Sequence, residues 1–153
     1  MRVEPARSKM KKILQQIVPE QAQEFTWKVI RFDNVINWVL GISLILVPDF
    51  FNRIFFGHEV LSHWIYIVIG VGLIWFAAWQ TDNFLKRKKL ARETLRFAAA
   101  LSWLSAIVLT FVLISSLQAR VILFSKIILW LADVYMLLLG GWWWWMADQP
   151  QSD

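Results

Sequence analysis

Four apolar stretches, each close to the ~20 residues that carry a helix across a bilayer, leave this chain little choice of fold. They run over roughly Val35–Phe51, Leu61–Gln80, Leu95–Leu117 and Val121–Met146. The first is short, at about 17 residues, so its helix is expected to begin earlier, near residue 32. Charged residues make up only 18% of the 153 and hydrophobic residues 58%, a balance foreign to soluble chains. The connections are too short for a separate soluble domain. The sequence therefore predicts an all-α fold, an integral membrane four-helix bundle with an N-terminal interfacial amphipathic helix. Residues 1–31 form the N-terminal region, 32–147 hold spans at about 32–51, 61–80, 95–117 and 121–146, and 148–153 form a short tail.

Charge sets the expected orientation. Arg2, Arg7, Lys9, Lys11, Lys12, Lys28 and Arg31 precede the first span, and Lys86, Arg87, Lys88, Lys89, Arg92 and Arg96 lie around the middle connection. These hold 13 of the 16 basic residues; Arg53, Arg120 and Lys126 are the rest. The positive-inside rule places the N-terminus, the middle loop and, after four crossings, the C-terminus in the cytoplasm. The net charge of +5 is thus mostly topological. Its expected partner is anionic lipid rather than nucleic acid, for which no readout element is visible. No cysteine is present, which excludes disulfides, thiolate metal sites and cysteine nucleophiles. The first apolar run starts too late for a cleavable signal peptide, so that span is expected to remain as an anchor.

Met10, Ile13, Leu14, Ile17 and Val18 recur at helical spacing among lysines and glutamines, the pattern of a surface-lying amphipathic helix. Pro19 is expected to interrupt it and open a second helix that carries Ala22, Phe25, Val29, Phe32 and Ile36 into the first span. Pro48 should stop that span near Val47, and Gly57 should be a positive-φ turn residue.

Asp133 stands out within Ile127–Gly140, because a carboxylate deep in a bilayer is costly and must find protein, water or a partner. Depth counted at 1.5 Å per residue suggests Ser105, with Ser102, as its hydrogen-bond partners. Lys126 is the alternative, ~10 Å away along the helix axis. Ala98, Ser102, Ser105 and Ala106 form a small-residue stripe on the third span, and Gly41, Ser43, Gly70, Gly72, Ala77 and Ala78 serve the first two in the same way. On the opposite side, Asp49, Arg53, His58, Glu59 and His63 make the densest polar group. Its histidines and carboxylates are of metal-ligating type, but the reading adopted is an interfacial loop with Ser62 capping the second span and no metal.

Eleven tryptophans are present, four of them consecutive. Trp142, Trp143, Trp144 and Trp145 are expected to anchor the fourth span at the interface. The other use of so many rings is a groove for a flat hydrophobic ligand such as a quinone or carotenoid. No cofactor is otherwise implied, and both histidines lie too near the edge for an intramembrane haem. No catalytic residue can be named, since phosphate-binding loops, HExxH and nucleophile-elbow motifs are all missing.

Gly41-Ile-Ser-Leu-Ile-Leu-Val-Pro48, Ile54-Phe-Phe-Gly57, Trp64 and Ile69-Gly70-Val71-Gly72-Leu73 together resemble the first hairpin of small bacterial four-helix membrane proteins of the DoxX-like kind. The resemblance covers about a third of the chain. It implies a four-span bundle in a bacterial inner membrane and association with quinone-linked redox systems in some members; it carries over no catalytic residue. Two functional readings stand. One is a non-enzymatic subunit or scaffold that packs against other membrane proteins, or a second copy, and lipid. The other is a small proton-coupled carrier or quinone-linked redox accessory with Asp133 as the protonatable group.

Overall fold

The computed structural model describes residues 6–115 and 120–149, with side chains from residue 20 onward. It is helical almost throughout. α1 spans Ala6–Leu46, α2 Pro48–Phe56, α3 His63–Gln80, α4 Arg92–Ile114 and α5 Leu123–Ala147; a π-helical segment, Thr81–Lys86, continues α3. Among the described residues there is no strand. Among the described residues, four segments are long and apolar enough to cross a membrane: Glu20–Leu46, His63–Lys86, Arg92–Ile114 and Leu123–Ala147. The chain is an all-α, multi-pass membrane bundle.

Two boundaries differ from expectation. The first crossing ends at Leu46, five residues before the expected limit, because Pro48 cannot continue α1 and instead occupies the first turn of α2. Val47 between them leaves the helical region, with φ −134° and ψ 57°. At the other end the separate N-terminal helix does not form as its own element. The backbone stays helical through Pro19, so that α1 is 41 residues long. Its flanks, Gln15, Gln16, Glu20, Gln21, Ala22 and Gln23, are good helix formers, which offsets a single missing N–H. The apolar face assigned to Met10, Ile13, Leu14, Ile17 and Val18 lies outside the described side chains.

The bundle is two antiparallel hairpins: α1 packs chiefly on α3, and α4 on α5. Glycine makes the first possible. A Cβ built on Gly41 would stand 2.8 Å from the Gly70 carbonyl oxygen, and one on Gly70 2.6 Å from that of Gly41. The backbones touch there, as small-residue crossings in membranes allow. The second hairpin buries Ala98, Ser102 and Ala106, a stripe of four-residue period, and lays Trp103 over Gly140.

Bulky rings join the hairpins at the end that carries the basic connection, the basic end. Phe84 and Trp143 are fully buried and stacked at 6.0 Å, with Ile30, Leu95 and Met146 around them. Phe25 meets Trp142 edge-on at 5.2 Å, and Trp79 meets Phe97 at 4.9 Å. At the opposite, α2 end, a polar splice does the joining. The last carbonyls of α2 have no partner in their own helix. Ile54 O accepts from Ser125 Oγ at 2.7 Å, and Phe55 O from the Ile122 N–H at 2.9 Å. Gly57 closes α2 in the left-handed region, φ 75°, as its position in the sequence suggests.

Candidate functional site

Three polar groups lie within or beside the spans, and the largest centres on a residue the sequence reading passed over. Asp33 is buried on α1, 13 residues from either end of Glu20–Leu46. Its Oδ2 accepts from Gln80 Nε2 at 2.7 Å and from Asn37 Nδ2 at 3.0 Å, and its Oδ1 accepts from Tyr135 Oη at 3.4 Å. One carboxyl group therefore ties α1 to α3 and to α5, bridging both hairpins.

Asn34, the next residue, meets the junction where α3 becomes π-helical. A change from i→i−4 to i→i−5 bonding loosens the carbonyls at the switch. Ala77 O accepts from Asn34 Nδ2 at 2.6 Å and from Thr81 Oγ1 at 2.9 Å, and Asn83 Nδ2 donates to Trp79 O at 3.0 Å. The side chains at the switch thus satisfy backbone groups that could not be left bare in hydrocarbon. The signal was present in the sequence: Asp33 and Asn37 are four apart, on one helix face, and Gln80-Thr81 ends the second apolar run. The sequence reading gave them no role.

Asp133 is buried on the opposite face of α5, two residues before Tyr135. Its partner is Thr110, whose hydroxyl donates to Oδ2 at 2.9 Å. Ser105 points outward, and Ser102 donates to its own helix at Ala98 O, 2.9 Å. Lys126 is half-buried, and no described group bonds Asp133 Oδ1. The expected Ser105, Ser102 and Lys126 contacts are thus replaced by a single one. The reason is register. Antiparallel helices pair residues equidistant from the turn between them, so the pair Trp103–Gly140 brings Thr110, not Ser105, level with Asp133. Thr110→Val is expected to cost about 1–3 kcal/mol by leaving both carboxyl oxygens bare. Ser105→Ala should stay within about 0.5 kcal/mol; detergent unfolding followed by tryptophan fluorescence measures both.

The third group sits at the α2 end. Of the five residues read there, three converge: ligand-type atoms of Asp49, Glu59 and His63 all lie within 4.8 Å of one another, and all three are exposed. His63 Nε2 faces Asp49 Oδ1 at 2.5 Å. Arg53 and His58 are exposed and stand outside this triad. Buried Asn52 organises the corner. Its Oδ1 accepts from the N–H of Val60 (3.3 Å) and Leu61 (3.1 Å) and from Tyr66 Oη (3.1 Å), and its Nδ2 donates to Leu61 O at 2.9 Å. Ser62 stands at the cap position of α3, but its hydroxyl makes no cap bond.

The four consecutive tryptophans divide their work. At 100° per residue a run of four must cover every face of a helix. Trp143 is therefore core, Trp142 donates Nε1–H to Thr26 Oγ1 at 3.0 Å, and of the four Trp144 and Trp145 stay exposed. Arg96 lies over the Trp144 ring at 5.1 Å and, with Arg92, grips Asp148 at 3.0 and 3.1 Å. This ties the C-terminal end of α5 to the start of α4.

Compared with protein-family models, curated proteins and solved structures, the chain matches none of them.

Proposed function

We propose that this chain is a non-enzymatic membrane subunit or scaffold that packs against other membrane proteins and anionic lipid. Its setting is a bacterial inner membrane, with both termini and the basic connection on the cytoplasmic side. The observation that carries the reading is the use made of Asp33. A carboxyl group within a span is expensive unless bonded, and this one accepts three hydrogen bonds that lock three helices together. Such a network favours a fixed frame over a moving carrier. The outer surface suits the same role, since no more than a third of any spanning stretch is buried within the chain itself. Phe32, Val35, Val39, Val68, Ile107 and Leu131 face outward. The basic residues at 86–92 and the DoxX-like first hairpin support the orientation and the bacterial setting.

Purification in mild detergent, with native mass and visible absorption recorded together, tests the proposal. The expected product is a complex heavier than one 18.0 kDa chain and colourless. A monomer carrying a quinone or carotenoid would overturn it.

One observation favours the second reading. Asp133 Oδ1 is buried and no described group bonds it, and intramembrane carboxyl groups commonly mark proton paths. If Asp133 serves proton-coupled transport, Asp133→Asn abolishes flux in proteoliposomes and leaves assembly intact. A scaffold loses assembly or neither.

A further inference from the structure

We infer that the corner between α2 and α3 binds one divalent transition-metal cation through Asp49, Glu59 and His63. The three residues come from three elements. Asp49 lies in the first turn of α2, Glu59 in the connection, and His63 at the start of α3. The fold brings them together by two devices already described. Pro48 ends α1 and opens α2 with Asp49 in its first turn, and Gly57 turns the chain after α2. Asn52 then fixes the connection at Val60 and Leu61, immediately after Glu59 and shortly before His63. Asn52 is fully buried and fixes the backbone of the connection that carries Glu59, not the ligand side chains themselves.

The chemistry of the donors selects the ion. Two carboxylates confined within 4.8 Å repel each other, and a divalent cation between them removes that repulsion. Magnesium and calcium favour all-oxygen sets, whereas an imidazole beside carboxylates suits zinc and its neighbours in the first transition row. His63 Nε2 and Asp49 Oδ1 already face each other at 2.5 Å, so a cation bound through both would take the place of that contact. Ligands around zinc stand roughly 3.3 Å apart at the usual ~2.0–2.1 Å bond lengths. All three side chains are exposed, so their own torsions are free to adjust toward that spacing, opening the His63–Asp49 pair and drawing Glu59 in. Three protein ligands leave at least one position open to water or to a group on a partner.

The test is equilibrium dialysis of the full, tag-free chain in detergent against Zn²⁺, with Co²⁺ absorption as a second readout of nitrogen and oxygen ligation. The expected result is one saturable ion per chain. Asp49→Asn, Glu59→Gln and His63→Gln should each weaken binding about tenfold or more, and His58→Gln should leave it unchanged. These side chains are exposed, so helicity should be untouched in every variant, and circular dichroism checks this. No saturable binding overturns the inference. So does binding that survives the three substitutions or falls equally with His58→Gln, the mark of an adventitious ion only.

Discussion

Gly70→Leu is expected to prevent the first hairpin from closing, at a cost of about 3 kcal/mol or more. The atom that blocks the new side chain is the backbone oxygen of Gly41, 2.6 Å from where a Cβ would stand, with Ile45 Cγ1 at 2.8 Å and Leu44 Cβ at 3.3 Å. A flexible side chain could swing aside, but a helix backbone cannot. α1 and α3 would have to separate along their length, and Asn34 would lose Ala77 O and Gln80 would lose Asp33, since both bonds cross the same hairpin. Gly41→Leu should act alike, its Cβ lying 2.8 Å from Gly70 O and 3.1 Å from the Ile74 nitrogen. Gly72 provides the control, because nothing lies within 4 Å of a Cβ there. Gly72→Ala should be neutral or stabilising by up to about 1 kcal/mol, through helix propensity alone. Unfolding in detergent, with paired crosslinks between α1 and α3, measures the difference. Equal stability of Gly70→Leu and Gly72→Ala would show that the helices do not cross at Gly41.

The contrast between those two glycines marks what the sequence could and could not tell. The four spans were legible because apolar length is a local property, and Pro48 and Gly57 were legible because backbone restrictions act on the residue itself. Which of Gly70 and Gly72 meets a neighbour depends on the crossing point of two helices, and that is not local. The same limit explains Asp133. Its burial followed from its setting, but its partner required the register of the second hairpin, which the turn sets rather than the depth counted from the far end. Trp143 shows the converse error. Four tryptophans together suggested a belt, although helical geometry forces one of the four rings inward. Asp33 shows the limit of residue-by-residue reading: it falls inside the expected first span, but that it is the hub joining α1, α3 and α5 depends on where Gln80 and Tyr135 arrive. The convergence of Asp49, Glu59 and His63 needed the path of the chain around Asn52, which no spacing rule encodes.

Asp33→Leu should destabilise the bundle by about 2–5 kcal/mol, although it removes a polar group from a span and adds an apolar one. The sign follows from the donors left behind. Gln80 is fully buried and Asn37 nearly so. Each would point an N–H at a methyl group, and a buried donor without an acceptor costs about 1–3 kcal/mol. Tyr135 is part-exposed and can turn away, so it adds little. Asp33→Asn keeps one acceptor and sets an NH₂ group against the remaining donors, so about 1–2 kcal/mol is expected. The decisive variant is the triple Asp33→Leu, Asn37→Leu, Gln80→Leu. It removes donors and acceptor together and should regain most of the loss, since replacing both sides of a buried hydrogen bond by apolar groups is close to neutral. Asn34 also approaches Gln80 Oε1, at 3.5 Å, but its bonds to Ala77 O and Thr81 remain in the triple variant, so the π-helical junction should survive. Thermal unfolding of the four proteins in one detergent gives the order directly: wild type first, the triple variant close to it, then Asp33→Asn, and Asp33→Leu last. If Asp33→Leu alone were as stable as the wild type, the carboxyl group would contribute nothing to joining the hairpins. The fixed-frame reading of this protein would then lose its main support.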